Sequence, residues 1–216
     1  MTLFSLFPAR LLATCLTSVL LAVGVAAPVS ASDDIDTSNA TFAEAIQAVK
    51  DRNFRHAIKL FRLQAEQNQH DAQYNLALLF EAGKGAPQNF SEALVWAWSA
   101  KLGGIEASGD LAEDLLDMLP EDAVDDVREK VKQRLEDRID AGNAPAFYQL
   151  AQYHLEIVEE PDFEMAYIWY SISTAIGLPG SLEARDDAHG NVDDEKIAEL
   201  QDKAGTIYES LTITTD

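Results

Sequence analysis

Apolar positions recur at helical spacing along most of the chain after residue 40. Phe42, Ala45, Ile46 and Val49 form a first stripe, and Lys50-Asp51-Arg52-Asn53 interrupts it. Phe54, Ala57, Ile58, Phe61 and Ala65 form a second stripe, with Asn53 placed as an N-cap. Between Ala72 and Ala107 two further stripes, Ala72-Leu76-Leu79-Phe80 and Phe90-Ala93-Ala97-Ala100, are separated by strong punctuation. Gly83 and Gly85 supply the positive φ that closes a helix, Pro87 prevents its continuation, and Asn89 with Glu92 reads as a capping box. The small residues allow close backbone approach, and Phe80, Phe90 and Trp96 fill the space between helices.

The pattern then repeats. A looser helix follows Gly103-Gly104, carried by Ile105, Leu111 and Leu115. Pro120 starts a longer one with Val124, Val127, Val131, Leu135 and Ile139 on one side and charges elsewhere, including a potential Asp126–Lys130 pair. Gly142 ends it, after which Phe90, Ala93 and Trp96 return at one constant offset as Phe163, Ala166 and Trp169. Leu119, Val124, Val127 and Leu135 map at the same offset onto Val192, Ile197, Leu200 and Tyr208. The chain therefore divides into a degenerate capping hairpin over about 40–70, a module at 72–140 and a second at 146–211, each a helical hairpin with an added closing helix. Arg185 to Asp194 reads as a polar loop, and 212–216 as a frayed tail.

The ends and the composition add a compartment and an exclusion. Arg10 precedes the uncharged run Leu11–Ala27, and Val29-Ser30-Ala31 follows, so residues 1–31 read as a signal peptide cleaved after Ala31. In length the run from Leu11 to Ala27 sits at the lower limit for a spanning helix, so membrane anchoring is expected only if the segment is retained. Residues 32–39 form a flexible acidic exit. Cys15, the single cysteine, lies inside the signal with Thr14 before it and most of the apolar run after it, a poor lipoprotein pattern. The mature chain has no thiol, but is long enough to bury a core without disulfides. Arg10 is the only charge in 1–31, so cleavage moves the formal charge from −21 to −22. Such a surface opposes nucleic acid and anionic membrane as partners.

The central unit resembles the Sel1-like repeat, a relative of the tetratricopeptide repeat, at Ala72, Leu76, Gly83, Gly85, Ala93, Trp96, Ala100 and Gly104. Ala77, Phe80, Ala86 and Asn89 replace the usual Gly, Tyr, Val and Asp. A later unit keeps Ala146, Leu150, Asp162, Ala166, Trp169 and Gly177, but has Ile157 to Glu160 where the glycines belong, which leaves room for a longer first helix. The resemblance implies an all-α, right-handed solenoid of αα-hairpins. It also implies a non-catalytic scaffold that binds a protein or peptide, like periplasmic relatives that act as adaptors or as inhibitors of envelope signalling receptors. In this family the first helices tend to line the concave face, which makes Tyr74, Asn75, Tyr148, Gln149 and Gln152 the candidate contacts. Core burial of the tyrosines is the competing reading.

No HExxH, GxSxG, SxxK or phosphate-cradling glycine loop occurs after the signal. His56, His70, His154 and His189 share no metal-ligand spacing, and Arg185–Glu195 lacks the ligand alternation of a calcium loop, so neither metal nor cofactor is expected. Trp98 stands apart: Ser171 lies opposite it in the duplication, so it either packs on a closing helix or serves as an exposed anchor. Two alternatives to the adaptor are a cell-wall (peptidoglycan or penicillin-type ligand) binder or envelope hydrolase, and a purely structural spacer. Cysteine-rich relatives are the precedent for the former, but they rely on disulfides absent here.

Overall fold

The computed structural model describes residues 39–211; the signal segment, most of the acidic exit and the tail at 212–216 lie outside the described residues. Within them the chain is all-α. The helices are α1 (Asn39–Lys50), α2 (Phe54–Glu66), α3 (His70–Glu81), α4 (Phe90–Leu102), α5 (Ala107–Leu116) and α6 (Glu121–Asp140). They continue as α7 (Pro145–Glu156), α8 (Phe163–Ala175), α9 (Ser181–His189) and α10 (Ile197–Ser210), the last entered through a short 3-10 turn at Asp194–Lys196. Each of α1 to α4 packs on the next, α5 lies on α4, and α6 lies between α4 and α7; α8 then carries α7, α9 and α10.

Four-helix blocks thus repeat, α3–α6 and α7–α10. In the hairpins the buried set Ala72, Leu76, Ala77, Leu79 and Phe80 of α3 returns as Ala146, Leu150, Ala151, Tyr153 and His154 of α7. The offset between these two sets exceeds by one the offset that relates Phe90 of α4 to Phe163 of α8. The turn has therefore lost one residue. It closes all the same: Asn89 N–H donates to the Phe80 carbonyl (3.1 Å), and Asp162 N–H to the His154 carbonyl (2.7 Å). The caps match as well, with Asn89 Oδ1 accepting from Glu92 N–H (2.9 Å) and Asp162 Oδ1 from Met165 N–H (3.0 Å). A longer first helix in the later unit is not formed. Both α3 and α7 have 12 residues, because the backbone closure and the Asp162 cap end the turn without glycine.

The glycines of the earlier turn answer to sterics. Gly85 has φ +85°, and a Cβ there would sit 2.5 Å from the Phe54 carbonyl carbon, so the α3–α4 turn can rest on the start of α2 only without a side chain. Asn53 occupies the N-cap position of α2, but its side chain makes no cap bond; its carbonyl accepts from His56 and Ala57 instead.

Two expectations for the closing parts are corrected. The segment read as a polar loop, Arg185 to Asp194, begins inside α9. Its buried face consists of Ser181 and Ala188 with partly buried Ala184, residues too small to show as an apolar stripe. Ser181 is the counterpart of Ser108 in α5 at the α4–α8 offset, and both are fully buried. The mapping of Leu135 onto Tyr208 fails in environment. Leu135 is 3% exposed because α6 is covered by both α4 and α7, whereas Tyr208 is 40% exposed because α10 packs mainly on α8. On α6 the ion pairs formed are Arg128–Asp125 (2.7 Å) and Lys132–Glu136 (3.6 Å), not Asp126–Lys130.

The two blocks are joined at the α6–α7 contact. Arg128 Nε donates to the Ile157 carbonyl (3.0 Å), and the Tyr153 hydroxyl donates to the Arg128 carbonyl (3.2 Å). Burial pushes the Tyr153 phenol up to about 12, so this tie persists across the physiological range.

Candidate functional site

Where the blocks meet, the end of α4 and the exposed side of α7 leave a cleft of about 340 Å³. One wall is Leu102, Gly103 and Gly104. The His70 ring lies directly behind Gly103, where a Cβ would fall 2.0 Å from it and the ring would have to shift. The other wall comes from α7, through Pro145, Tyr148, Gln149 and Gln152, and Leu178 and Pro179 of the α8–α9 connection close the end. A salt bridge from Lys101 to Glu156 (3.2 Å) ties the two walls.

The polar groups of the cleft are fixed from below. Tyr148 packs on the Tyr170 ring with centroids 5.0 Å apart. Burial and this neighbour raise the Tyr170 phenol above its ordinary value. Gln149 is 6% exposed, and its Oε1 accepts from Arg138 Nη1 at 2.7 Å, while Arg138 Nη2 donates to Asn143 Oδ1 at 2.8 Å. Burial, with Arg134 nearby, brings the Arg138 guanidinium down to about 10, still cationic at neutral pH. The Gln152 side chain, one turn on, makes no hydrogen bond to the described residues. The cleft therefore offers apolar surface, one aromatic face and neutral amides.

The sequence-predicted contacts divide. Tyr148, Gln149 and Gln152 come together in the cleft. Tyr74 and Asn75 occupy the corresponding positions of α3 but do not line it, and the Asn75 amide is spent on the Asp71 carbonyl (2.8 Å). Trp98 is not an exposed anchor: it is 4% exposed, because α4 is enclosed by α3, α5 and α6. Its counterpart Ser171 lies on α8 and turns its hydroxyl to the Tyr167 carbonyl (2.7 Å). The signature residues Ala72, Leu76, Ala93, Trp96, Ala100, Ala146, Leu150 and Ala166 are buried, Trp169 is partly buried, and Gly83, Gly85 and Gly177 take positive φ. Sequence reasoning missed the opposite wall, Leu102, Gly103 and Gly104, and the closed end at Leu178 and Pro179, because only the fold makes them neighbours of α7.

Among the described residues no three His, Cys, Asp or Glu side chains gather in a geometry able to hold a metal ion. The histidines are dispersed: His56 pairs with Glu44 (2.9 Å), His70 with Gln73 (2.9 Å), and His189 lies against Tyr167. His154 is buried, which lowers its pKa, against the opposing effect of Asp162. None of the described helices is long and apolar enough to cross a membrane.

The fold is thus an all-α array of helical hairpins in which α3–α4 and α7–α8 are related units. Among solved structures, it is similar to a Sel1 repeat protein from Oxalobacter formigenes, with 17% identity and a TM-score of 0.36, covering 87% of this chain and 85% of that one. It is also similar to a protective antigen of uropathogenic Escherichia coli displaying an SLR fold, with 15% identity, a TM-score of 0.30 and 74% of this chain covered. This chain spans less than half of that antigen, 44% of its length. No protein-family model matches the chain, and no curated protein matches it.

Proposed function

We propose that this chain is an exported, non-catalytic scaffold of the bacterial cell envelope that binds a protein or peptide segment and thereby modulates a receptor or an assembly. The observation that carries the reading is the inter-block cleft, where Tyr148, Gln149 and Gln152 face an apolar wall. Neutral amides and an aromatic face suit peptide backbone and apolar side chains, and no nucleophile is paired there with a base as acyl or phosphoryl chemistry requires. Export rests on the pattern of residues 1–31.

The test places a photo-crosslinking amino acid at position 152 of the full chain in its native host, with the exposed position 118 as control. A defined protein product from position 152, absent from position 118, is the expected outcome. Equal yields from both positions, or none from 152, overturn the reading. Amino-terminal sequencing of the mature protein checks export separately, with Ser32 as the expected first residue.

A further inference from the structure

The charge around the cleft narrows the partner. Lys101, beside Leu102 in the chain, is engaged by Glu156, and Arg138, behind Gln149, by two neutral oxygens. The carboxylates are freer. Glu106, two residues beyond Gly104, is exposed, as is Asp71, which follows His70 in the chain. The whole chain carries a formal charge of −21. An anionic segment entering here would meet an unfavourable field and no cation in the lining, while a cationic one is drawn in from a distance. The cleft itself has no carboxylate in its lining, so what it buries is apolar.

We propose that the occupant is an extended peptide segment bearing an apolar side chain flanked by Lys or Arg. The apolar side chain enters between Leu102 and Leu178, Tyr148 provides the aromatic face, and Gln152 donates to and accepts from the peptide backbone. The flanking cations remain at the rim, within reach of the acidic surface. The inference rests on the scaffold reading, and adds the sign of the partner's charge to it.

A random peptide library displayed on phage is selected on the purified full chain, and synthetic versions of the enriched peptides are titrated by fluorescence anisotropy. The expected result is a family of peptides with net positive charge and one apolar anchor. Gln152→Glu should tighten their binding about fivefold and Gln152→Lys should weaken it about fivefold, the effect of one charge at close range near a surface. Their affinity should also fall as salt rises from about 50 to 500 mM. Neutral or acidic peptides whose binding still responds to Gln152→Lys and Tyr148→Phe would overturn the charge proposal and leave the scaffold reading standing. Failure to enrich any peptide, or enrichment only of peptides indifferent to both substitutions, overturns the two together.

Discussion

The duplicated tryptophans provide an internal control on what a buried hydrogen bond contributes to this fold. Trp96 Nε1 donates to Glu92 Oε1 at 3.0 Å, and the Arg134 guanidinium lies 4.4 Å from its ring centroid. In the second block Met165 stands in the place of Glu92, and the Trp169 Nε1 is buried without an acceptor among the described residues. Met165→Glu places a carboxylate four residues before Trp169, in the first turn of α8. A hydrogen bond to a charged acceptor contributes about 1.5 to 3 kcal/mol when buried, and a first-turn acid about 0.3 to 1 kcal/mol. Position 165 is only partly buried, so solvent reduces the first figure, and some apolar burial of Met165 is lost. The expected net stabilisation is about 1 kcal/mol, raising Tm by about 2 to 4 °C for a chain of this size. The assay is urea unfolding of the four members of a double-mutant cycle combining Met165→Glu with Trp169→Phe, with a coupling of about 1 kcal/mol expected. The reverse change, Glu92→Met, should cost about 2 kcal/mol by stranding the Trp96 N–H. A cycle coupling indistinguishable from zero would refute the assignment of the Trp169 N–H as the group at stake.

Three other outcomes follow from the same structure. Gly85→Ala should lower stability by more than about 2 kcal/mol in chemical denaturation, because it combines a disfavoured φ with a backbone clash at Phe54. Trp98→Ala should cost about 3 to 5 kcal/mol, the range for emptying a large buried site, and a near-neutral result would show that α4 is less enclosed than its packing implies. His154 is held below its ordinary 6.5 mainly by burial, so it folds neutral; its contribution is complete above pH 6.5 and declines as pH falls below that value toward the lowered one. His154→Phe, which copies Phe80 of the first block, should therefore flatten the stability profile between pH 7 and 5 relative to the unmodified chain, and parallel profiles would contradict this.

Much of the local structure is legible in the residues. The turn at Gly83–Asn89 is specified by its own chemistry, and the recurrence of Phe, Ala and Trp at a fixed offset identifies α4 and α8 as copies. The start of α9 is equally available from that offset, since Ser108 predicts Ser181. It stays hidden because a face of Ser and Ala carries no hydrophobic signal, and only burial against α8 distinguishes it from a solvated loop.

Periodicity, capping residues and the internal repeat determine where the helices are and which faces are apolar, because these depend on residues within a few turns of one another. Which face stays buried is a matter of neighbours far along the chain. Enclosure of α4 on several sides makes Trp98 a core residue, and the end of the array leaves Tyr208 exposed where Leu135 is buried. The cleft is the clearest case. Its walls come from 102–104, 145–152 and 178–179, segments that no local pattern relates, and they become one site only when α7 packs against α4.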